Sequence, residues 1–197
     1  FYDATSGEVF VNGRNIREYT QRALNNTIGF VTQSAILFSG DIKGNINYGD
    51  NDKTEMTDLE IQRAAEIAQA SEFIDGLEEK YDSHVSQSGT NFSGGQKQRL
   101  SIARAIARDP EILIFDDSFS ALDFKTDSDL RRALQEEMKD VTKIIVAQRV
   151  GTIKDVDQII VLEDGQIVGI GTHEDLLETS KVYLEIAQSQ LSEEELA

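Results

Sequence analysis

Two short stretches of this chain carry chemically capable residues: one suits phosphate, and the other brings paired carboxylates to a ligand. In Ser93-Gly94-Gly95-Gln96 a hydroxyl residue stands where a helix N-cap belongs, and the glycines let a ligand approach the backbone closely. The amide groups of the turn that follows are orphan donors at the positive end of a helix dipole, a setting for phosphate oxygens. Read alone, the same residues describe an ordinary capped helix after a loop. Asp116 and Asp117 close the apolar run Ile112-Leu113-Ile114-Phe115. A strand there delivers two adjacent carboxylates to the edge of a sheet where α/β proteins bind ligands. The bland alternative is a surface turn whose acids cap the next helix.

The elements that must position these groups are legible in outline. Glu8–Val11 reads as a strand entering an Asn12-Gly13 turn, and Ile28–Gln33 as a short buried strand. A loop and a short helix fill the stretch to Gly49. Thr57 with Glu60 forms a capping-box pattern, behind which Ile61, Ala64, Ala65 and Ala68 line one helix face. Ser71 is expected to cap a further short helix, and Tyr81–Phe92 to be a loop. The helix opening at Ser93 ends at Asp109-Pro110. Ile112–Phe115 is expected to be a strand covered on both faces, and Ile144–Ala147 another buried strand. Leu130, Ala133, Leu134 and Met138 mark the helix between them. Ile159–Leu162, Asp164-Gly165 and Ile167–Ile170 predict a hairpin. Thr172 and Asp175 predict a capped helix start, Val182–Leu191 a helix, and Glu193–Ala197 a frayed end. Alternating strands and helices in the second half predict a parallel α/β sheet.

Bulk composition narrows the function classes. The 197 residues suffice for one large domain or two small ones. The net charge of −17 argues against a surface for nucleic acid or anionic lipid, since both need clustered Lys and Arg. A nucleotide pocket built from backbone amides survives that argument. With no cysteine there is neither disulfide nor thiolate metal site, as expected of a reducing compartment. No apolar run approaches the ~20 residues of a membrane helix.

Extended to Phe92–Leu100, with Ala103-Arg104-Ala105 beyond and Glu111–Asp117 after, the two stretches resemble the signature and Walker B motifs of ATP-binding cassette (ABC) ATPases. The resemblance covers essentially the whole chain. It implies an α/β P-loop NTPase (RecA-like) core, a mostly parallel sheet, with an inserted α-helical signature subdomain. Residues 1–40 would be part of the core up to the Q-loop, 41–108 the helical subdomain, and 109–197 the rest of the core with the C-terminal helices. The implied cofactors are ATP and Mg²⁺. Asp116 would hold Mg²⁺, often through water, and Asp117 stands where a Glu usually polarises the attacking water. Gln33, followed by Leu37–Asp41, resembles the Q-loop, which contacts Mg²⁺ or water and senses the transmembrane coupling helix. Ser120-Ala-Leu-Asp123 resembles the D-loop, with Asp123 near the opposite nucleotide. Ser93, Gly94, Gly95 and Gln96 would complete the site of a second nucleotide-binding domain packed head to tail. No nucleic-acid partner is implied.

Three departures sharpen this. The family's G-x-x-x-x-G-K-[ST] loop occurs nowhere in the sequence. It is expected to precede Phe1, because Phe1–Val9 resembles the end of the helix that follows it, and without it residues 1–197 are expected to bind ATP negligibly. Asp117 is one methylene shorter than Glu. Gln148 occupies the place of the switch His and cannot become cationic. His84 and His173 do not fill that gap and read as structural or surface residues. The pattern points to the degenerate half of a heterodimeric exporter on the cytoplasmic face of a membrane. Leu37–Ile42 and Asn45–Gly49 carry the exporter resemblance. The alternatives are an assembly module of the same fold and a soluble ABC ATPase of DNA repair or translation. The acidic charge and the lack of a coiled-coil insertion count against the latter.

Overall fold

A computed structural model describes residues 3–49 and 56–192. The expected frayed end 193–197, and the first two residues of the expected N-terminal helix end, lie outside the described residues. The chain opens with β1 (Phe10–Val11) and β2 (Arg14–Asn15), paired antiparallel through Asn12 and Gly13. Both turn residues have positive φ, 50° and 73°, as a two-residue hairpin turn demands. Next comes α1 (Gln21–Thr27), capped by the Thr20 hydroxyl and absent from the sequence expectation. It leads into β3 (Ile28–Val31), shorter than the predicted span.

β4 (Gly40–Asp41) and α2 (Ile42–Ile46) follow, the helix capped by the Asp41 side chain. α3 (Asp58–Ile67) has the predicted Thr57–Glu60 capping box, with both reciprocal bonds formed. α4 (Ser71–Asp75) starts differently from expectation. Its N-cap is Ala70, and Ser71 is the first helical residue, with no side-chain cap. The expected loop before the signature is more ordered than its polar composition suggests. It contains β5 (His84–Val85), paired with β4, and two short 3₁₀ turns, Lys80–Asp82 and Gln87–Gly89. His84 is thus a strand residue away from the sheet edge that bears the acids.

α5 (Gly94–Ala107) begins at the Ser93 capping box and ends before Pro110. β6 (Ile112–Asp116), α6 (Phe124–Glu137), β7 (Thr142–Val146) and the single-turn α7 (Val150–Ile153) come next. β8 (Ile159–Glu163) and β9 (Gln166–Gly171) make the predicted hairpin, turning at Asp164 and Gly165. α8 (His173–Thr179) is capped by Thr172 and Asp175, and α9 (Lys181–Gln190) by Ser180.

The central sheet is parallel, in the order β3-β6-β7, as the alternating pattern predicts. Its two faces differ. Val31, Leu113 and Phe115 point inward with Ile102, Ile106 and Leu134 in one continuous buried cluster. Each fully buried side chain of this size contributes about 1.5–3 kcal/mol. On the other face Phe30, Ile114 and Ile144 stand in one row across the strands. Phe30 is 41% exposed, Ile144 49% and Val146 51%. β6 and β7 are therefore covered on one face among the described residues, not buried on both as their apolar composition predicts. A second cluster joins α7, the β8–β9 hairpin, α8 and α9 through Val150, Ile159, Val161, Leu176, Tyr183 and Ala187.

Candidate functional site

The carboxyl ends of β3, β6 and β7 lie side by side, and the predicted site residues sit just beyond them. In the parallel register Val31 is beside Phe115, and Asp116 beside Val146. The chain turns at Asp117, whose φ of 45° is uncommon for a residue with a side chain. Its N–H donates to Val146 O at 3.0 Å, and its carbonyl accepts from the Ser120 hydroxyl at 2.7 Å. This bend turns the Asp117 carboxylate across the strand ends. There Gln33 Nε2 donates to Asp117 Oδ2 at 3.0 Å, and Gln148 Nε2 donates to the same oxygen at 2.9 Å. Three residues that the sequence proposed separately thus meet on one oxygen atom. Asp116 completes β6 beside them, half-buried.

Supporting residues hold this arrangement, and several had no sequence signal. Gln98, 1% exposed, donates from Nε2 to Thr32 O at 3.1 Å, tying the signature helix α5 to the residue before Gln33. Arg104 binds the same helix to the segment after Gln33. Its guanidinium donates to Asn45 O, Ile36 O and Asn45 Oδ1 at 2.8–2.9 Å and lies over the rings of Phe38 and Tyr48. Burial pushes Arg104 below its ordinary pKa, because no carboxylate offsets the desolvation. Arg149, next to Gln148, donates to Ser120 O at 3.2 Å and lies over Phe124. Asp127, buried on α6, accepts from Arg131 at 3.0 Å and from the Thr152 hydroxyl of α7 at 3.4 Å.

The signature residues lie at the start of α5. Ser93 Oγ accepts from Gln96 N at 3.3 Å, and Gln96 Oε1 accepts from Ser93 N at 2.9 Å. The Gln96 amide is therefore already satisfied, which leaves the earlier amides of the turn as donors. A Cβ on Gly94 would meet nothing within 4 Å, whereas one on Gly95 would come within 3.4 Å of Ala121 O. Gly94 thus presents open backbone, and Gly95 packs beside the Ala121 carbonyl. Asp123 is the N-cap of α6, accepting from Thr126 N at 3.0 Å and Thr126 Oγ1 at 2.7 Å. The backbone bond from Thr126, then the side-chain one, holds its carboxyl below the usual range. Ser93 and Gln96 bond within their own turn, and no hydrogen bond among the described residues joins Ser93–Gln96 to Asp116 or Asp117. His173 is far from this chemistry in role: its Nδ1 pairs with the Tyr183 hydroxyl at 2.7 Å.

The donor set fits Mg²⁺ and nucleotide phosphate. Among the described residues there is no group of three His, Cys, Asp or Glu side chains placed to hold a metal. One carboxylate at the strand end, Asp116, suits the way Mg²⁺ is commonly held, with most positions going to phosphate and water. The open amides at Gly94 suit phosphate oxygens.

This fold and edge define an ABC-type nucleotide-binding domain. The ABC transporter family profile matches residues 1–120, and the chain belongs to that family. It is 45% identical over 191 residues to an uncharacterized ABC transporter ATP-binding protein of Mycobacterium tuberculosis (strain ATCC 25618 / H37Rv), covering 96% of this chain and 32% of that protein. It is also 45% identical over 183 residues to a provisionally named multidrug export ATP-binding/permease protein of Staphylococcus aureus (strain NCTC 8325 / PS 47), covering 93% of this chain and 31% of the relative. A bacterial Atm1-family ABC exporter solved with ATP bound superposes with a TM-score of 0.91 at 36% identity, over 98% of this chain and 33% of that one. The chain spans about a third of the length of these relatives. No helix among the described residues is long and apolar enough to cross a membrane.

Proposed function

We propose that this chain serves an ABC exporter as the nucleotide-binding domain whose own Walker B side is weak and whose signature completes the stronger site of a partner. ABC ATPase domains bind ATP, generally with Mg²⁺. Here Asp116 and Gln33 would hold the cation, which supplies charge neutralisation at the phosphate oxygens. The domain would pack head to tail against a second one at the cytoplasmic face of the membrane, presenting Ser93, Gly94, Gly95 and Gln96 to the partner's nucleotide, with Asp123 close to that seam. Residues 1–40, 41–108 and 109–197 would serve as partial core, helical lobe and remaining core.

The observation that carries the reading is the shared oxygen of Asp117. In this reading, a carboxylate that must orient and deprotonate water is instead held by two neutral amides, Gln33 and Gln148. Neither donor can take up the proton, and the shortened side chain reaches less far. Positioning dominates phosphoryl transfer, so both features slow turnover at this site. The Ser93 capping box supports the other half, since it keeps the turn formed and leaves Gly94 open.

The test is single-turnover ATP hydrolysis by the complete transporter. Asp117→Ala should barely change the rate, whereas Ser93→Arg, which fills the open amide turn, should abolish it. A large loss from Asp117→Ala would show that this site is the working one. For residues 1–197 alone, without a G-x-x-x-x-G-K-[ST] loop, calorimetry should find negligible Mg-ATP affinity, and micromolar binding would contradict that.

A further inference from the structure

Gln190 is the last residue of α9, and its side-chain amide meets the backbone on both sides of Arg149. Its Nε2 donates to Gln148 O at 2.8 Å, and its Oε1 accepts from Val150 N at 2.9 Å. Asp127 holds α7 further along, at the Thr152 hydroxyl, while Gln190 caps its first amide. The N-cap position is Arg149, which makes no side-chain cap bond. An α-helix leaves its first amides without internal partners, and here one of them is capped from another element.

We infer that Gln190 is a positioning residue that fixes the segment Gln148–Val150, so that the Gln148 side chain faces Asp117 and the nucleotide phosphates expected beside it. This deepens the reading proposed above and rests on it. The geometry gives the clamp its leverage. A primary amide engaging one C=O and one N–H two residues apart holds the backbone as a neighbouring strand would. With the backbone at 148 and 150 fixed, the two side chains between diverge to defined partners. Gln148 reaches Asp117 Oδ2 at 2.9 Å, and Arg149 reaches Ser120 O at 3.2 Å. The Ser120 hydroxyl returns to the Asp117 carbonyl at 2.7 Å, closing the circuit around the acid.

α9 is itself held firmly enough to act as the anchor. Tyr183 and Ala187 are buried in the cluster that contains Val150, with Leu191 packed against it. The anchoring helix therefore moves with the C-terminal cluster, and Gln190 transmits its position to the switch segment. A rotation or displacement of α9 releases Gln148 and Val150 together.

The experiment uses the complete protein with Gln190→Ala and Gln190→Glu, and Gln188→Ala on the same helix as control. Hydrogen exchange at the Val150 amide should be about tenfold faster in Gln190→Ala, the effect of one lost hydrogen bond. Gln190→Glu keeps an acceptor for Val150 and should retain most of that protection while losing the bond to Gln148 O. Dissociation of a fluorescent ATP analogue with Mg²⁺ from this chain's site should be several-fold faster in both Gln190 variants, with kcat at saturating ATP unchanged. Unaltered exchange at Val150 in Gln190→Ala, or equal acceleration in Gln188→Ala, overturns the clamp. Faster exchange with unaltered nucleotide dissociation overturns the positioning role. If the wild-type protein retains no nucleotide at this site, the functional reading fails by itself, and the exchange result still decides whether Gln190 fixes the switch backbone.

Discussion

Gln148 donates to Asp117 Oδ2 across 2.9 Å, linking the segments that leave β7 and β6 at the carboxyl edge of the parallel sheet, where α/β proteins bind ligands. A neutral amide on that oxygen orients the carboxylate but accepts no proton from it. Replacing both partners should therefore recover chemistry. Asp117→Glu with Gln148→His restores reach and a titratable group, and should raise the single-turnover rate at this site by about 10–100-fold. Rapid-quench measurements on the complete transporter decide the matter. A double variant no faster than the original would show that the weakness lies elsewhere.

Arg104 is the second point where a single change should have a large effect. Its fork satisfies two backbone carbonyls and the Asn45 side-chain oxygen, which also accepts from Phe38 N at 2.8 Å. Lysine presents one point charge and cannot reproduce the planar fork. Arg104→Lys is expected to destabilise the chain by about 1–2 kcal/mol and Arg104→Ala by about 1–3 kcal/mol, since the part-buried Asn45 carbonyl and the Ile36 carbonyl lose this donor and, with alanine, the rings of Phe38 and Tyr48 lose their cation. Urea unfolding followed by circular dichroism measures both. Equal stability of all three proteins would remove Arg104 as the tie between α5 and the segment following Gln33.

How much of this was legible in the sequence depends on the range of the interaction. Ser93, Asp116 and Asp123 act through residues three or fewer positions away or through strand position, and their placement follows from local pattern. Gln33, Asp117 and Gln148 were each marked by the family resemblance, yet their meeting on one oxygen depends on the order β3-β6-β7, which spacing does not encode. Gln98 lay inside the run Phe92–Leu100 without an assigned role, and Gln190 was invisible. Each acts by bonding backbone far along the chain, and a glutamine on a helix carries no periodic signal of such a role. The exposure of Phe30, Ile144 and Val146 was misread for a related reason. An apolar run states that a strand could be covered on both faces, while the packing decides which faces are. Ser71 failed as a cap because α4 begins one residue earlier: Ala70, whose N–H is held by Ala65 O at the end of α3, already gives its carbonyl to Ile74 N.

Acid should loosen two helix starts. Asp123 is held below its ordinary carboxyl range mainly by the backbone bond from Thr126, and Asp175 mainly by the side-chain bond from Thr172. Both groups bind a proton more weakly folded than unfolded, so the unfolded chain carries more protons in that window and stability rises with pH. The contribution is complete above the ordinary Asp range, near pH ~4, and is lost as pH falls toward the depressed folded values. Asp123→Asn should reduce the slope of the unfolding midpoint against pH in that interval and leave it unchanged near neutrality. An unaltered slope would mean that the α6 cap contributes nothing to the acid response.

Gly29 tests how tightly the sheet is pressed onto α5. A Cβ at this position would lie 2.8 Å from Leu113 Cδ2, 3.0 Å from Pro110 Cγ and 3.1 Å from Ala105 O. The leucine can turn aside, but the proline ring and the helix carbonyl cannot. Gly29→Ala must therefore shift β3 away from the helix end, and Gln33, two residues beyond the strand, moves with it. The expected cost is about 1–3 kcal/mol, the usual range for overpacking a filled core. A smaller residue elsewhere should compensate: Leu113→Val on the neighbouring strand removes the nearest contact and should recover part of the loss if Cδ2 is the main obstacle. Should Gly29→Ala unfold at the same denaturant concentration as the original, the close approach between β3 and α5 would be wrong, and with it the placement of Gln33 against Asp117.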